Sequence, residues 1–375
     1  IMVMKCIPCV IMRGGTSKGV FFKKEDLPSN DSERDRVILK IFGSGDPMQI
    51  DGLGGTHTHT SKTMIVWKSD MPNVDVNYTF GQVGIERAFI DYTGNCGNLT
   101  SAVGPFAIDE KIIEAKEPYT IVKMYNTNTK KRVDAKVPVE NGFTKYEGDY
   151  WIDGVPNPGA RIDIRWYEPG GAVSGKLLPT GEPINKINTG VEVIEGSIVD
   201  AANPAVFVRA KDVGLTGKEL PHEITKDIQM KLERIRSKAA EMMNLVKDAK
   251  EATTKSPHFP FIVVVGERQD YKTVSGSIVR KNEYSVLARL FSLQLMHHAY
   301  AATGAICTGA AAKIPNSIVN QLCESDGSKV VIGHPKGVID VDVEAIPSGD
   351  SVEIKSVTIG RTARRLMAGI AYYIP

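Results

Sequence analysis

Cys96 stands in Gly94-Asn-Cys-Gly-Asn98, directly ahead of a small, apolar run from Leu99 to Ile108. The run predicts a buried helix, which puts the cysteine at a helix N-terminus. Unpaired backbone N–H groups there lower a thiol's pKa and attract anions. The flanking glycines remove side chains and let a substrate approach the backbone. A thiolate so placed is a base or a nucleophile. The alternative is a buried structural cysteine, and the Gly/Asn surroundings weigh against it. Lys62, in Thr60-Ser-Lys-Thr63 before the apolar Met64–Trp67, is a second candidate. It could hold a carboxylate or, if desolvated, act as a base. Local sequence alone favours a solvated lysine with its stem along the surface.

Arg13-Gly-Gly-Thr-Ser-Lys-Gly19 is a Gly-rich turn with hydroxyls and two cations, suited to a carboxylate or phosphate. It lacks the spacing of a Walker loop, and Gly52-Leu-Gly-Gly55 lacks that of a dinucleotide fingerprint. His297-His298 closes an apolar run; on a helix the two would point about 100° apart, so one at most faces a given site. His57-Thr-His59 has no third ligand, and no metal is expected. Cys6-x-x-Cys9 lies on a predicted strand, where i and i+3 face opposite sides, and is read as chance. No G-x-S-x-G elbow anchors a hydrolase reading.

These groups need elements to position them. Cys6–Met12, the turn and Val20–Phe22 read as a hairpin, followed by a helix over Ser32–Phe42 and strands over Thr60–Trp67 and Val74–Val83. A similar hairpin recurs at Ser197–Val199 and Val206–Val208 around the turn Asp200–Ala205. Thr303-Gly304 before Cys307 parallels Thr93-Gly94 before Cys96. Two matches in the same order predict a duplicated domain. The boundary is expected in the Gly/Pro-rich stretch 169–190, giving domains 1–183 and 184–375, with the last strands as candidates to return to the first domain. Thr225–Val246 reads as an amphipathic helix, Tyr284–Ala302 as a buried one, and Val352–Ile359 and Leu366–Tyr373 as closing strands.

The 375 residues, 24% charged and 42% hydrophobic, fit two ordinary globular domains. A net charge of +2 gives no general reason to expect nucleic acid or an anionic membrane as partner. No run approaches the ~20 apolar residues of a membrane span, and Ile1–Val10 does not read as a signal peptide. Five irregularly spaced cysteines argue for a reducing cytoplasm.

Taken together, the chain resembles the 2-methylaconitate isomerase and 3-methylitaconate Δ-isomerase family, the PrpF family. The carrying strings are Met12–Gly19, Asp51–Gly55, Thr60–Lys62, Gly94–Asn98 with Ser101–Asp109, Gly175–Gly181, Asp200–Pro204, Met296–Tyr300 with Thr303-Gly304, and Gly360–Met367. The resemblance implies a diaminopimelate-epimerase-like α/β (α+β) fold: two similar domains, each a sheet around a central helix, with the active site in the cleft between them. It implies catalytic roles for Cys96 and Lys62 and matches Ser17 and His297 to family active-site positions, with His298 as the alternative. Thr16, Thr60, Ser61, Asn95, Gly97, Asn98, Cys307, Thr308 and Gly309 complete the expected substrate-binding set. The activity implied is a cofactor-free proton or double-bond shift in an unsaturated di- or tricarboxylate. Examples are 3-methylitaconate to 2,3-dimethylmaleate, or cis–trans exchange of 2-methylaconitate. The alternatives are a two-thiol racemase or epimerase using Cys96 and Cys307, and a non-catalytic carboxylate-binding protein. A homo-oligomer, dimer or tetramer, is expected. Thr56-His-Thr-His-Thr60 departs from the family pattern beside Lys62, which leaves substrate identity open.

Overall fold

The computed structural model describes residues 3–92 and 95–375. The Thr93-Gly94 pair lies outside the described residues. The chain forms two units, Ile1–Arg165 with Gly360–Pro375, and Trp166–Ile359. The junction expected at 183/184 therefore lies within the second unit. The stretch around it is not a linker: Asp200 accepts hydrogen bonds from the Val173 and Ser174 N–H groups at 2.9 and 2.6 Å and from the Ser174 hydroxyl at 2.8 Å.

The first unit opens with β1 (Lys5–Gly14) and β2 (Ser17–Lys23), an antiparallel hairpin turning at Gly15-Thr16. Next is α1 (Asp31–Phe42), which Asn30 caps by accepting the Glu33 N–H at 3.0 Å and which Gly43 ends at φ 65°. β3 (Lys62–Lys68) lies parallel to β2, and β4 (Val76–Val83) antiparallel to β3. Two short helices follow, α2 (Gly97–Thr100) and α3 (Val103–Asp109). Then β5 (Tyr119–Asn126) runs parallel to β4, and β6 (Lys131–Glu140) antiparallel to β5. Val20, Phe22 and Ile65 pack with Val37, Ile38 and Ile41 of α1 on one face. Burial contributes about 1.5–3 kcal/mol for each such large side chain. On the other face Phe21 meets Phe106 of α3, ring centroids 5.4 Å apart. The sheet thus lies between α1 and the α2–α3 pair.

The second unit repeats this order. β7 (Val193–Ala201) and β8 (Asn203–Arg209) form the hairpin, and α4 (Lys226–Met242) is capped by Thr225. β9 (Phe261–Gly266) is parallel to β8 and β10 (Val286–Ser292) antiparallel to β9. After α5 (Ala302–Lys313), β11 (Lys329–His334) is parallel to β10 and β12 (Gly337–Ser348) antiparallel to β11. Both units therefore share one succession of elements and one set of strand senses. The second hairpin turns at Ala202, φ 61°, more tightly than the expected Asp200–Ala205 turn. After Ser351–Arg361, the closing strand Ala363–Tyr373 pairs antiparallel with β1 and belongs to the first unit.

Three further expectations are corrected. Tyr284–Ala302 is not a helix: β10 occupies Val286–Ser292, a short strand Leu295–Met296 follows, and the helix begins at Ala302. Apart from Arg289, residues 286–291 of β10 are apolar and buried on both faces, so the strand has no polar alternation to distinguish it from a buried helix. Thr303-Gly304 is not a turn but lies in the first turn of α5, where Gly304 lets the helix approach Leu290; a Cβ there would sit 2.3 Å from Leu290 Cδ1. Leu99–Ile108 is two helices. Pro105 has no N–H to continue α2, so it lies in the first turn of a new helix.

Candidate active site

Cys96 is the N-cap of α2. Its Sγ accepts the Leu99 N–H at 3.4 Å and is 3.5 Å from the Ser17 hydroxyl, to which it can donate as a thiol. The sulfur therefore takes the place a serine or aspartate oxygen usually fills at a helix start. The N–H groups of Gly97 and Asn98 lie ahead of any carbonyl the helix could offer them. Cys96 is 9% exposed, shielded yet not sealed.

The Gly-rich turn brings Ser17 to this sulfur. Asn98 Oδ1 accepts the Thr16 N–H at 3.3 Å. A Cβ on Gly14 would fall 2.8 Å from the Asn98 carbonyl oxygen, and one on Gly15, at φ 52°, would fall 2.1 Å from Asn98 Oδ1. These glycines are required because the hairpin tip rests on α2.

Lys62 opens β3 on the same face of the sheet. Its partner in β2 is Gly19, whose Cβ would meet Leu99 Cδ2 at 2.8 Å, and the next pair, Phe21 and Met64, lies over α3. Paired residues on adjacent strands share a face. Lys62 Nζ donates to Gln82 Oε1 at 2.8 Å and stands 5.0 Å from the Phe80 ring centroid. Gln82 is fixed in turn, its Nε2 donating to the Thr58 and Ser61 carbonyls, both at 2.9 Å. The lysine has no carboxylate partner among the described residues, so its charge remains available. His59 stands beside it at the surface; partial desolvation, then the Lys62 charge and His57, lower its pKa.

Ser61, Thr60 and Asn95 also bond within this unit. Ser61 is buried, accepts from Gln49 Nε2 and donates to the Val83 carbonyl, both at 3.0 Å. The Thr60 hydroxyl donates to Gly55 O at 2.7 Å. Asn95 Oδ1 accepts from Asn126 at 2.9 Å, while its Nδ2 is buried with no partner among the described residues. Thr16 is exposed at the hairpin tip. Gln82 and Gln49 had no local signal in the sequence, since only strand register and the turn at 49–61 bring them to Lys62 and Ser61. No cluster of three or more His, Cys, Asp or Glu side chains fit for a metal occurs among the described residues.

In the second unit, His297 and His298 follow the strand Leu295–Met296 and lie on no helix. His297 is half-buried, its Nδ1 accepting the Ala299 N–H at 3.0 Å, and His298 is exposed. Cys307 lies well inside α5, fully buried, 3.5 Å from the Val199 carbonyl, and burial pushes its thiol far above the ordinary range. Thr308 donates to Gly304 O at 2.8 Å and bonds the Tyr300 hydroxyl at 2.7 Å. Gly309 faces Val341, where a Cβ would fall at 2.5 Å. These three residues pack the helix. The contact that corresponds to Ser17–Cys96 is Asn203–Thr303: Asn203 Nδ2 at the start of β8 donates to the Thr303 hydroxyl at the start of α5 at 2.7 Å. Where the first unit has sulfur, the second has a hydroxyl.

The family model described as PrpF protein matches residues 4–374. The chain is 47% identical to a 3-methylitaconate isomerase of Eubacterium barkeri over 98% of this chain and 97% of that one. It is 37% identical to a 2-methyl-aconitate isomerase of Shewanella oneidensis over 97% and 96%. A crystal structure of methylitaconate-delta-isomerase matches 99% of this chain and 96% of that chain with a TM-score of 0.91 at 46% identity. The fold is diaminopimelate-epimerase-like.

Proposed function

The chain belongs to the PrpF family and is an isomerase, and we propose that it shifts a proton within a small unsaturated di- or tricarboxylate through Cys96 and Lys62. The observation that carries this reading is the capped sulfur of Cys96, held by the Leu99 N–H and Ser17, on the sheet face that presents Lys62 with no carboxylate partner among the described residues.

As a thiolate, Cys96 removes a proton from the carbon between a carboxylate and an alkene. The C–H electron pair spreads over the allylic system and into the carboxylate. Negative charge then grows beside an existing anion, so the site must offset it. The Lys62 ammonium and the Gly97 and Asn98 N–H groups supply positive potential without reorganising. Cys96, now a thiol, returns the proton at the far carbon to move the double bond, or at the original carbon after rotation to exchange cis and trans. The overall reaction consumes no electrons, and its proton balance closes on one sulfur. The preferred substrate class is the branched dicarboxylate of the 3-methylitaconate type, by its 47% identity to an isomerase of that name. We further read the enzyme as a cytoplasmic homo-oligomer that needs no cofactor. Unpaired thiols suit a reducing compartment, and the exposed Leu366, Met367, Ile370 and Tyr372 of the closing strand supply an apolar surface for self-association.

The test is a screen of 3-methylitaconate, 2-methylaconitate, aconitate and 4-oxalomesaconate in deuterated water, followed by ultraviolet absorbance and proton NMR. Double-bond migration or cis–trans exchange with deuterium entering the allylic position is expected for at least one. Turnover that survives Cys96→Ala would overturn the assignment.

A further inference from the structure

The motif Gly360–Arg365 and the two cations of the Gly-rich turn have no part in the chemistry above, yet the fold brings them together. Arg13 is the cross-strand partner of Arg364 in the closing strand and of Lys18 in β2. Cross-strand partners share a face, so three cations stand in a row across three strands. Like charges directly opposite each other destabilise a sheet. No carboxylate stands among these three positions. Neither Arg13 nor Arg364 forms an ion pair among the described residues. Arg13 instead uses Nη1 on the carbonyl oxygens of Gly15 and Thr362, at 2.9 and 3.1 Å, and on Thr362 Oγ1 at 3.1 Å. That fixes the guanidinium in position without neutralising it. Burial, and then the Arg364 charge, lower its pKa.

Beside this row is a cavity of about 470 Å³ within the first unit, lined by Arg13, Arg364, Arg365, Tyr146, Asn157 and Glu147 among others. Its volume lies within the range of small-molecule sites. Arg365 donates Nη2 to Glu110 at 2.7 Å, but its Nη1 is buried with no partner among the described residues. The lining thus holds three guanidinium groups against one carboxylate, Glu147. On β1, Arg13 lies one residue before Gly14, whose face carries α2, so Arg13, Lys18 and Arg364 point to the opposite face from Cys96, while Arg365, the next residue along, lines the cavity from the face on which it meets Glu110.

We propose that this cavity is a separate anion site that takes a small multivalent oxyanion, either phosphate or a polycarboxylate, between Arg13, Arg364 and Arg365. Planar guanidinium forks match both ligands. A bound anion would relieve the repulsion between Arg13 and Arg364 and satisfy Arg365 Nη1.

The test is calorimetric titration of the full chain with inorganic phosphate and, separately, with the saturated tricarboxylate tricarballylate, at ionic strength held constant with chloride. It is run in a Lys62→Ala background, so that anion binding at the proposed catalytic lysine is weakened. Binding is expected for at least one anion, and which one binds distinguishes the two sources. Adding Arg364→Glu, at an exposed position, should weaken it at least tenfold, while Arg364→Lys should retain most of it. Equal affinity with and without Arg364→Glu, or no binding beyond that of chloride, overturns the proposal. In the wild-type background, Arg364→Glu should leave isomerase turnover within about twofold, so failure of this site and failure of the isomerase reading would be seen separately.

Discussion

Lys62 Nζ is held at 2.8 Å by the side-chain oxygen of Gln82, its direct partner across the β3–β4 ladder. A neutral acceptor orients the ammonium without cancelling its charge. Gln82→Glu would replace that acceptor with a carboxylate and engage the charge internally. Its KM for a dicarboxylate should rise about tenfold with a smaller change in kcat. Lys62→Ala should lower kcat/KM by about two to four powers of ten, and Lys62→Arg should recover part of it if the residue only binds carboxylate. A Lys62→Arg variant as inactive as Lys62→Ala would instead indicate proton transfer, because arginine does not deprotonate. Steady-state kinetics of the three variants decide.

Iodoacetamide should inactivate the enzyme through Cys96, and substrate should protect it. Cys6 is exposed and will also react, but Cys6→Ser should inactivate at the wild-type rate. Burial pushes Cys323 up to about 11 and also raises Cys9 and Cys307, so these three should label slowly near neutral pH. Peptide mass mapping over the course of inactivation checks this; loss of activity that tracks any cysteine other than Cys96 refutes it.

Cys307→Ala separates one-thiol from two-thiol chemistry. The buried sulfur touches a carbonyl inside the second unit, so its loss should cost about 1–2 kcal/mol of stability and leave turnover within about twofold. A thousandfold fall in rate with an intact fold would restore the two-thiol epimerase reading.

Gly15→Ala and Gly190→Ala form a matched pair. Both positions have positive φ, 52° and 85°, but nothing lies within 4 Å of a Cβ at Gly190, whereas one at Gly15 meets Asn98. Gly190→Ala should cost about 1–2 kcal/mol for backbone conformation alone. Gly15→Ala should cost more, because the overlap forces Asn98 and the start of α2 to move, and it alone should reduce kcat/KM. Urea denaturation with parallel kinetics tests both parts.

The sequence made the sulfur legible because Gly94–Asn98 carries its own chemistry: small residues, a thiol and a following helix. The hairpin was legible for the same reason. Lys62 was raised only by family resemblance, since nothing within five residues of it reveals the Gln82 acceptor twenty positions on. The parallel drawn between Cys307 and Cys96 failed on geometry. Thr-Gly reads as a turn in isolation, yet in α5 the glycine allows the helix to pack on Leu290, and the cysteine three residues further on lies in the interior. The run before it failed on periodicity, because Val286–Phe291 is buried on both faces as a strand and, Arg289 apart, apolar, so it has no alternation to read.

The return of Ala363–Tyr373 to β1 also orders events in time. The second unit, Trp166–Ile359, is continuous in sequence and can complete its contacts as soon as it leaves the ribosome. The first cannot: β1, which leads into the Ser17 hairpin, waits for a partner made some 350 residues later. Contacts of such long sequence separation form late and slowly. The sheet that carries the Ser17 hairpin is therefore among the last parts of the chain to be completed, and a nascent chain stalled before residue 363 would leave β1 without that neighbour, open to the wrong one.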